Sequence, residues 1–431
     1  MSRRAGDTLA CMAVCPPGVE PLLDAELAAL GIARRNVVRG GVEVNLRPRQ
    51  LYAANLWLRT ATRVLVRVAM FDVHDFATLE RNAATVNWRQ WVPAGAQVTF
   101  RVSSHRSRLD HTRAIAERLA AAAGAPLATG SADWADGGSS YDDEGAPPAG
   151  PPAARFVARI DRNRLTLSAD SSGEPLYQRG WRRQVAKAPL RPTLAAAMLA
   201  AVGWPEQGQP AKGQPEQGLP AQGESSSGRL MLVDPFCGSG TVAIEAALAA
   251  SGRPPGTGAT PGSTRSFAFE SWADFAPGTW ASVRGEASQR LADAAGNDLT
   301  VMASDRDAGA VAATVANADR ANVGHVVAAT HSAVSAIEPP PGPPPGPNDT
   351  AWVVTNPPWG GRIASGGDLR DLYATFGNVM RARFTGWRVA MLVADRHLAA
   401  HSGLGLHEAL RTTAGGQPVQ LLVTGPLTAS S

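Results

Sequence analysis

The chain has 431 residues, 41 Lys+Arg against 37 Asp+Glu for a net charge of +4, with 44% hydrophobic and 18% charged residues. At about 150 residues per domain it holds two or three domains with substantial cores, and its composition excludes wholesale disorder. No apolar run approaches the ~18 residues of a membrane helix, and Met1–Pro16 lacks the apolar stretch of a leader. Cys11, Cys15 and Cys237 are too few for a disulfide framework, and no second Cys or His pair completes a zinc site. The expectation is a reduced, cytoplasmic protein with no membrane and no metal as partner.

Charge is unevenly placed. Residues 1–120 hold 17 Arg against 10 Asp+Glu, and residues 151–200 hold nine basic against three acidic residues. Such a front half suits a polyanion, nucleic acid being the commonest, although a solvated arginine-rich surface explains it as plainly.

In chain order, residues 20–31 read as a helix with Leu22, Leu23, Leu27 and Leu30 on one face. Val37–Leu46, Arg63–Phe71 and Gln97–Val102 read as strands and Thr112–Ala122 as a helix, which together predict an α+β region over 8–170. Residues 171–202 form a connecting segment and helix. Four stretches rich in Pro, Gly and Ser, at 130–153, 203–228, 251–266 and 339–349, read as surface loops to which no chemistry is assigned. Over 229–427 the pattern alternates: strands at Leu230–Val233, Leu299–Ser304, Val326–Ala329, Ala351–Thr355, Arg388–Ala394 and Val419–Thr424, with helices at Thr241–Ala250 and Ala308–Ala321. Continuous apolar strands between helices predict a parallel, doubly wound α/β sheet whose ligands sit beyond the carboxyl ends of the strands.

Three motifs fall there. Asp234-Pro235-Phe236-Cys237-Gly238-Ser239-Gly240-Thr241 joins a strand to a helix through glycines that let the backbone approach a ligand. It matches neither G-x-G-x-x-G nor the phosphate-binding G-x-x-x-x-G-K-[ST], and an acid ahead of the loop suits a ligand with a cationic end. Asp305 ends the next strand, where a carboxylate accepts ribose hydroxyls, 65 residues after Gly240. Taken alone, Asp305 and Asp307 both read as helix caps. Finally, Thr355-Asn356-Pro357-Pro358-Trp359-Gly360-Gly361 follows an apolar strand: two prolines remove donors and leave carbonyl acceptors outward, Asn356 adds another, and Trp359 offers a stacking face. Acceptors beside an aromatic face suit an exocyclic amine on a flat ring, and the three motifs in this order point to an amino-methyltransferase.

The sequence resembles the THUMP-domain-containing class I RNA methyltransferases that modify the 2-amino group of guanosine, over nearly the whole chain outside the four loops. Ser107–Arg113 resembles the family's Ser-Lys-Leu-Tyr-His-Thr segment. Gln178-Arg179-Gly180-Trp181-Arg182 and Lys187-Ala188-Pro189-Leu190 resemble the run that joins the two domains, closest to the bacterial 23S ribosomal RNA branch, and Phe267–Trp272 matches a further segment.

The resemblance implies a Rossmann-like class I methyltransferase sheet behind an N-terminal ferredoxin-like and THUMP-type RNA-binding region, with S-adenosylmethionine as cofactor and RNA, ribosomal before transfer, as partner. It implies that Asp234, Gly238 and Gly240 line the methionine end, that Phe236 and Thr241 also bind the cofactor, that Asp305 takes the ribose hydroxyls, and that Ser332 stands where the family has an adenine-contacting Asp. Asn356, Pro357, Pro358 and Trp359 would hold the target base, with Asn356 Oδ1 and the Pro357 carbonyl accepting the two amine protons and no dedicated general base. Arg106, Arg108, Arg113, Arg179, Arg182 and Arg183 are the candidates for RNA phosphate contacts. The chain departs from the family where Trp359-Gly360-Gly361-Arg362 replaces Tyr-Gly-Glu-Arg. A protein glutamine or DNA adenine methyltransferase shares Asn-Pro-Pro-aromatic, but the Ser107–Arg113 segment and the basic front half argue against both. A transfer-RNA enzyme of the same family and a non-catalytic RNA-binding homologue stay open.

Overall fold

In the computed structural model, which describes residues 8–128, 153–184, 190–204, 228–257, 265–293, 298–360 and 369–428, the strands assemble into two seven-stranded sheets. The first uses β1 (Leu9–Val14), α1 (Glu20–Ala29), β2 (Arg35–Val38), β3 (Gly41–Leu46), α2 (Pro48–Trp57), β4 (Arg63–Asp72), α3 (Phe76–Ala83), β5 (Gln97–His105), α4 (Thr112–Ala123), β6 (Ala153–Asp161) and β7 (Arg164–Asp170). Its order is β2-β3-β1-β4-β7-β6-β5, antiparallel except for the parallel pair β5 and β6. The single strand expected over Val37–Leu46 is instead a hairpin, because Gly40 turns the chain at φ +86° and Val38 pairs with Gly41. Leu23 and Leu27, one turn apart on α1, are fully buried, and the Glu20 carboxylate accepts from the Gly18 and Gly40 amides at 2.6 and 2.7 Å.

The second half comprises α5 (Pro192–Ala201), β8 (Leu230–Asp234), α6 (Thr241–Ala250), α7 (Pro277–Asp293), β9 (Leu299–Asp305), α8 (Ala308–Arg320), β10 (Val327–His331), β11 (Thr350–Thr355), α9 (Leu369–Arg383), β12 (Arg388–Val393), α10 (Arg396–Ala400), β13 (His407–Ala414) and β14 (Gln417–Val423). The order is β10-β9-β8-β11-β12-β14-β13. The first five strands are parallel as expected, but β14 runs antiparallel to both β12 and β13, so the sheet is mixed. A two-residue turn, Gly415-Gly416 with both φ positive, makes that hairpin. β13 does not read as an apolar run because His407, Glu408, Arg411, Thr412 and Thr413 interrupt it with polar side chains.

Alternate strand residues enter two separate cores. Leu232, Val301, Trp352, Val354, Ala390 and Leu392 share a core with the first sheet, whereas Met231, Val233, Val353, Val389, Met391 and Val393 pack with α9. Both faces being buried explains the continuous apolar runs. Among the described residues no helix is long and apolar enough to cross a membrane.

A buried polar network closes the seam between the sheets. Helix α6 is buried throughout, and Glu245 within it is 0% exposed. Glu245 Oε1 accepts from Arg179 Nε at 3.2 Å, while Arg179 Nη1 and Nη2 donate to the Leu176 and Arg59 carbonyls at 2.8 and 2.6 Å. Arg59 Nη2 donates to the Leu248 and Arg253 carbonyls, and its amide donates to Glu26 Oε2 at 3.0 Å. Arg179, expected on RNA, is 2% exposed and committed to this seam, which removes it from the RNA candidates. Burial pushes its guanidinium below the usual range, and the Glu245 charge opposes that push.

The stretch 251–266, expected as a bystander loop, is structural in its described part. Gly256 donates its amide to the Leu56 carbonyl at 2.9 Å, and a Cβ there would meet Leu56 backbone at 2.9 Å. Arg253 is buried with Nη1 on the Ala321 carbonyl, and Arg265 donates to the Pro175 and Gln178 carbonyls. The stretch 339–349 is a loop, anchored by Asp349 on Arg229 at 2.6 Å. The stretches 130–153 and 203–228 lie almost wholly outside the described residues.

Arg179→Ala strands the Glu245 carboxylate in the core and should cost about 3–5 kcal/mol. Removing both charges together, as Arg179→Met with Glu245→Leu, should recover most of that loss. Urea denaturation of the three proteins checks both expectations.

Candidate functional site

The three motifs converge at the carboxyl ends of β8, β9 and β11, which lie side by side. Asp234 ends β8 and is 1% exposed. Its Oδ1 accepts from the Phe236 amide at 3.2 Å and from the Thr355 hydroxyl at 2.7 Å, and its Oδ2 accepts no bond among the described residues. Burial, with a smaller push from the Asp305 charge, raises this carboxyl from 3.8 to about 7, against the two hydrogen bonds that favour the anion.

The loop after Asp234 turns on Gly238 and Gly240, at φ +53° and +83°. A Cβ at Gly240 would meet the Thr314 methyl at 2.7 Å, so no other residue fits. Three contacts fix the loop: Gly238 donates its amide to Asp305 Oδ2 at 3.0 Å, Thr314 donates its hydroxyl to the Gly238 carbonyl at 2.9 Å, and Asn317 Nδ2 donates to the Ser239 carbonyl at 3.0 Å. Thr241 then opens α6, buried, and Phe236 sits half-buried against Phe376. Cys237 is buried, which raises its thiol and leaves it unreactive.

The two acids divide their tasks. Asp307 caps α8, accepting from the Gly309 and Ala310 amides at 2.8 and 3.4 Å. Asp305 is half-exposed, with Oδ1 accepting from the Asp307 amide and Oδ2 from Gly238, so each oxygen keeps a lone pair for a ligand. Ser332 donates its amide to the Asp305 carbonyl at 3.0 Å and its hydroxyl to the Ala333 carbonyl at 3.2 Å. That hydroxyl oxygen remains an acceptor only. His331 is exposed, its Nε2 2.9 Å from the Arg306 carbonyl.

Asn356 follows β11 with its Oδ1 buried and, among the described residues, without a hydrogen-bond donor. Pro357 is buried. The Pro358 carbonyl, expected outward, accepts instead from the Tyr373 hydroxyl at 3.1 Å, and burial raises that phenol so that it stays a donor. Trp359 is half-buried, its indole N–H donated to the Leu392 carbonyl at 2.9 Å, so one edge of the ring is fixed to β12. Gly361 and Arg362 lie outside the described residues. Thr355, Tyr373, Thr314 and Asn317 escape a motif search because they are uncharged residues without fixed spacing to a glycine or an acid.

Of the candidate RNA contacts, Arg106, Arg108, Arg113 and Arg183 are exposed and Arg182 is half-buried. The loop with Arg106 and Arg108 is braced by the β6–β7 turn: Asn163 donates its amide to Ser107 Oγ at 3.0 Å and accepts from the Arg108 amide at 2.8 Å. This brings exposed Arg162 and Arg164, absent from the sequence reading, to the same end of the first sheet. Two loops far apart in the chain meet there, which no local pattern signals.

Residues 225–410 match a family model described as "RMKL-like, methyltransferase domain", and residues 10–65 match "RlmL ferredoxin-like domain". The chain is 32% identical over 411 residues to the "Ribosomal RNA large subunit methyltransferase K/L" of Syntrophotalea carbinolica, covering 95% of this chain and 52% of that protein. It is 31% identical over 416 residues to the protein of the same name in Marinobacter nauticus, covering 95% and 51%. The chain thus spans about half the length of the curated relatives it matches. Its fold resembles that of a possible methylase from Clostridium difficile 630, with a TM-score of 0.75 at 23% identity, covering 99% of this chain and 100% of that one. It likewise resembles SMU.472, a putative methyltransferase complexed with SAH, with a TM-score of 0.75 at 22% identity, covering 98% and 100%.

A carboxyl raised by folding binds more protons folded than unfolded, so the ligand-free protein should lose stability as pH climbs from about 4 to about 7, by a few kcal/mol at about 1.4 kcal/mol per pH unit. Asp234→Asn should flatten that part of the profile. Thermal unfolding of both proteins across the window measures the difference.

Proposed function

We propose that this chain, which carries an RMKL-like methyltransferase domain behind an RlmL-type ferredoxin-like domain, is a cytoplasmic RNA methyltransferase that moves a methyl group from S-adenosylmethionine to the exocyclic 2-amino group of a guanosine in 23S ribosomal RNA. The names of the relatives support the ribosomal substrate. The observation that carries the chemistry is Asn356 Oδ1, a buried acceptor with no donor among the described residues, at a strand end beside the glycine loop. A buried acceptor is costly until a donor reaches it, and an exocyclic amine supplies two.

The residues fit the cofactor. The open Oδ2 of Asp234 suits an ammonium, the two oxygens of Asp305 suit vicinal ribose hydroxyls, and the left-handed Gly238 and Gly240 let the backbone come close. Phe236, the start of α6 at Thr241, and the acceptor oxygen of Ser332 complete the lining. When bound, S-adenosylmethionine supplies an electrophilic methyl group on a sulfonium.

Everything else is positioning. The 2-amino nitrogen of guanine is conjugated and weakly nucleophilic. Asn356 Oδ1 accepts one of its protons and the Pro357 carbonyl the other, which turns the lone pair toward the methyl. Both acceptors gain strength as positive charge develops on the nitrogen, so their effect is larger in the transition state than in the ground state. Tyr373 holds the Pro358 carbonyl and Leu392 holds the Trp359 indole, so the loop is rigid before the base arrives. The Trp359 face receives a base extruded from folded RNA. The proton leaves to water after transfer. Arg106, Arg108, Arg162, Arg164 and Arg183 contact phosphates, which orients the RNA without reading its bases.

Asn356→Ala should lower single-turnover methyl transfer to ribosomal RNA by about 10²–10³-fold, with S-adenosylhomocysteine affinity unchanged in calorimetry. A near-normal rate in that variant would contradict the assignment.

A further inference from the structure

The two strand ends that form the site are joined by a side chain that belongs to neither recognised contact. β8 and β11 run parallel with Val233 opposite Val353, so Asp234 and Thr355 stand at adjacent strand ends, one residue apart in register. Thr355 is 0% exposed and donates its hydroxyl to Asp234 Oδ1 at 2.7 Å. Asp234 leads straight into the glycine loop, and Thr355 leads straight into Asn356.

We propose that Thr355 is a positioning residue for methyl transfer, its hydroxyl tying the cofactor-side carboxylate of Asp234 to the base-side Asn356. The inference rests on the reading of Asp234 as the ammonium contact. The charge environment makes the tie consequential. The groups that face Asp234 are the Phe236 amide, the Thr355 hydroxyl, and the Asp305 and Cys237 side chains, and no cation among the described residues stabilises its anion. A hydroxyl donated to a carboxylate favours the ionised form, the form that an ammonium needs. Losing it leaves one backbone amide to oppose burial, so binding would need a higher pH to ionise the site. The same loss frees the backbone just before Asn356, so the acceptor and the glycine loop no longer share a fixed register.

The test uses the full chain and S-adenosylhomocysteine as probe, by calorimetry between pH 6 and 9, with single-turnover transfer to ribosomal RNA alongside. Thr355→Val keeps the shape and removes the bond. It should weaken binding about tenfold at pH 7, move the pH midpoint of binding upward and slow transfer, whereas Thr355→Ser should restore all three. In the Asp234→Asn background Thr355→Val should cost no further affinity. Wild-type affinity and midpoint in Thr355→Val, or an equal loss in both backgrounds, would overturn the tie. Wild-type protein that binds no S-adenosylhomocysteine at any pH would overturn the cofactor reading, and the tie with it.

Discussion

The seam between the two sheets depends on a guanidinium that water does not reach. Arg179 sits between the carboxylate of Glu245 on α6 and the carbonyl of Arg59, and Arg59 in turn is held by α6, by residue 253 and by Glu26 on α1. Two acids and two arginines are buried together with no net charge, the condition under which buried ions are tolerated. α6 also begins at the glycine loop, four residues before Glu245. The helix that begins at the candidate cofactor loop is therefore the helix locked to the half that carries most of the arginines proposed for RNA. The shared hydrophobic core, which runs from Leu23 through α5 to Leu232 and Val354, makes the same point in apolar terms. The distance from the arginines proposed for phosphate to the acceptor at Asn356 is set by packing, and catalysis by positioning requires such a fixed distance.

Much of this was legible in the sequence where the physics is local. Strands buried on both faces read as apolar runs, so β8, β11 and β12 stand out, and a glycine loop or an Asn-Pro-Pro run carries its own backbone signature. Other features depend on partners distant in the chain. Arg179 looks like any of its neighbours among the arginines of residues 151–200, and only its burial separates it from Arg183. One signal was present: Glu245 is the lone charged residue in the Thr241–Ala250 helix, and such an acid calls for a buried cation. The β13–β14 hairpin was masked by its polar, exposed edge, and the stretch around Gly256 by a composition that normally marks loops.

The site itself is economical in charge. Burial holds Asp234 near neutrality, Asp305 stays half in solvent with both oxygens shared, and Asp307 is spent on a helix cap. On the target side the acceptors for the proposed amine are carbonyl oxygens, those of Asn356 and Pro357, the first without a donor among the described residues, while Tyr373 holds the neighbouring Pro358 carbonyl. That arrangement suits a nucleophile that needs its lone pair oriented and gives up its proton late. It does not suit one that must first be deprotonated by a side chain.

The central claim is the identity of the product, and the most direct measurement is transfer of a tritiated methyl group from S-adenosylmethionine into total RNA, separated into ribosomal and transfer fractions and digested to nucleosides. The account predicts label in 2-methylguanosine from the large-subunit ribosomal fraction. Label in another nucleoside, label confined to transfer RNA, or no label from protein that binds the cofactor would contradict it.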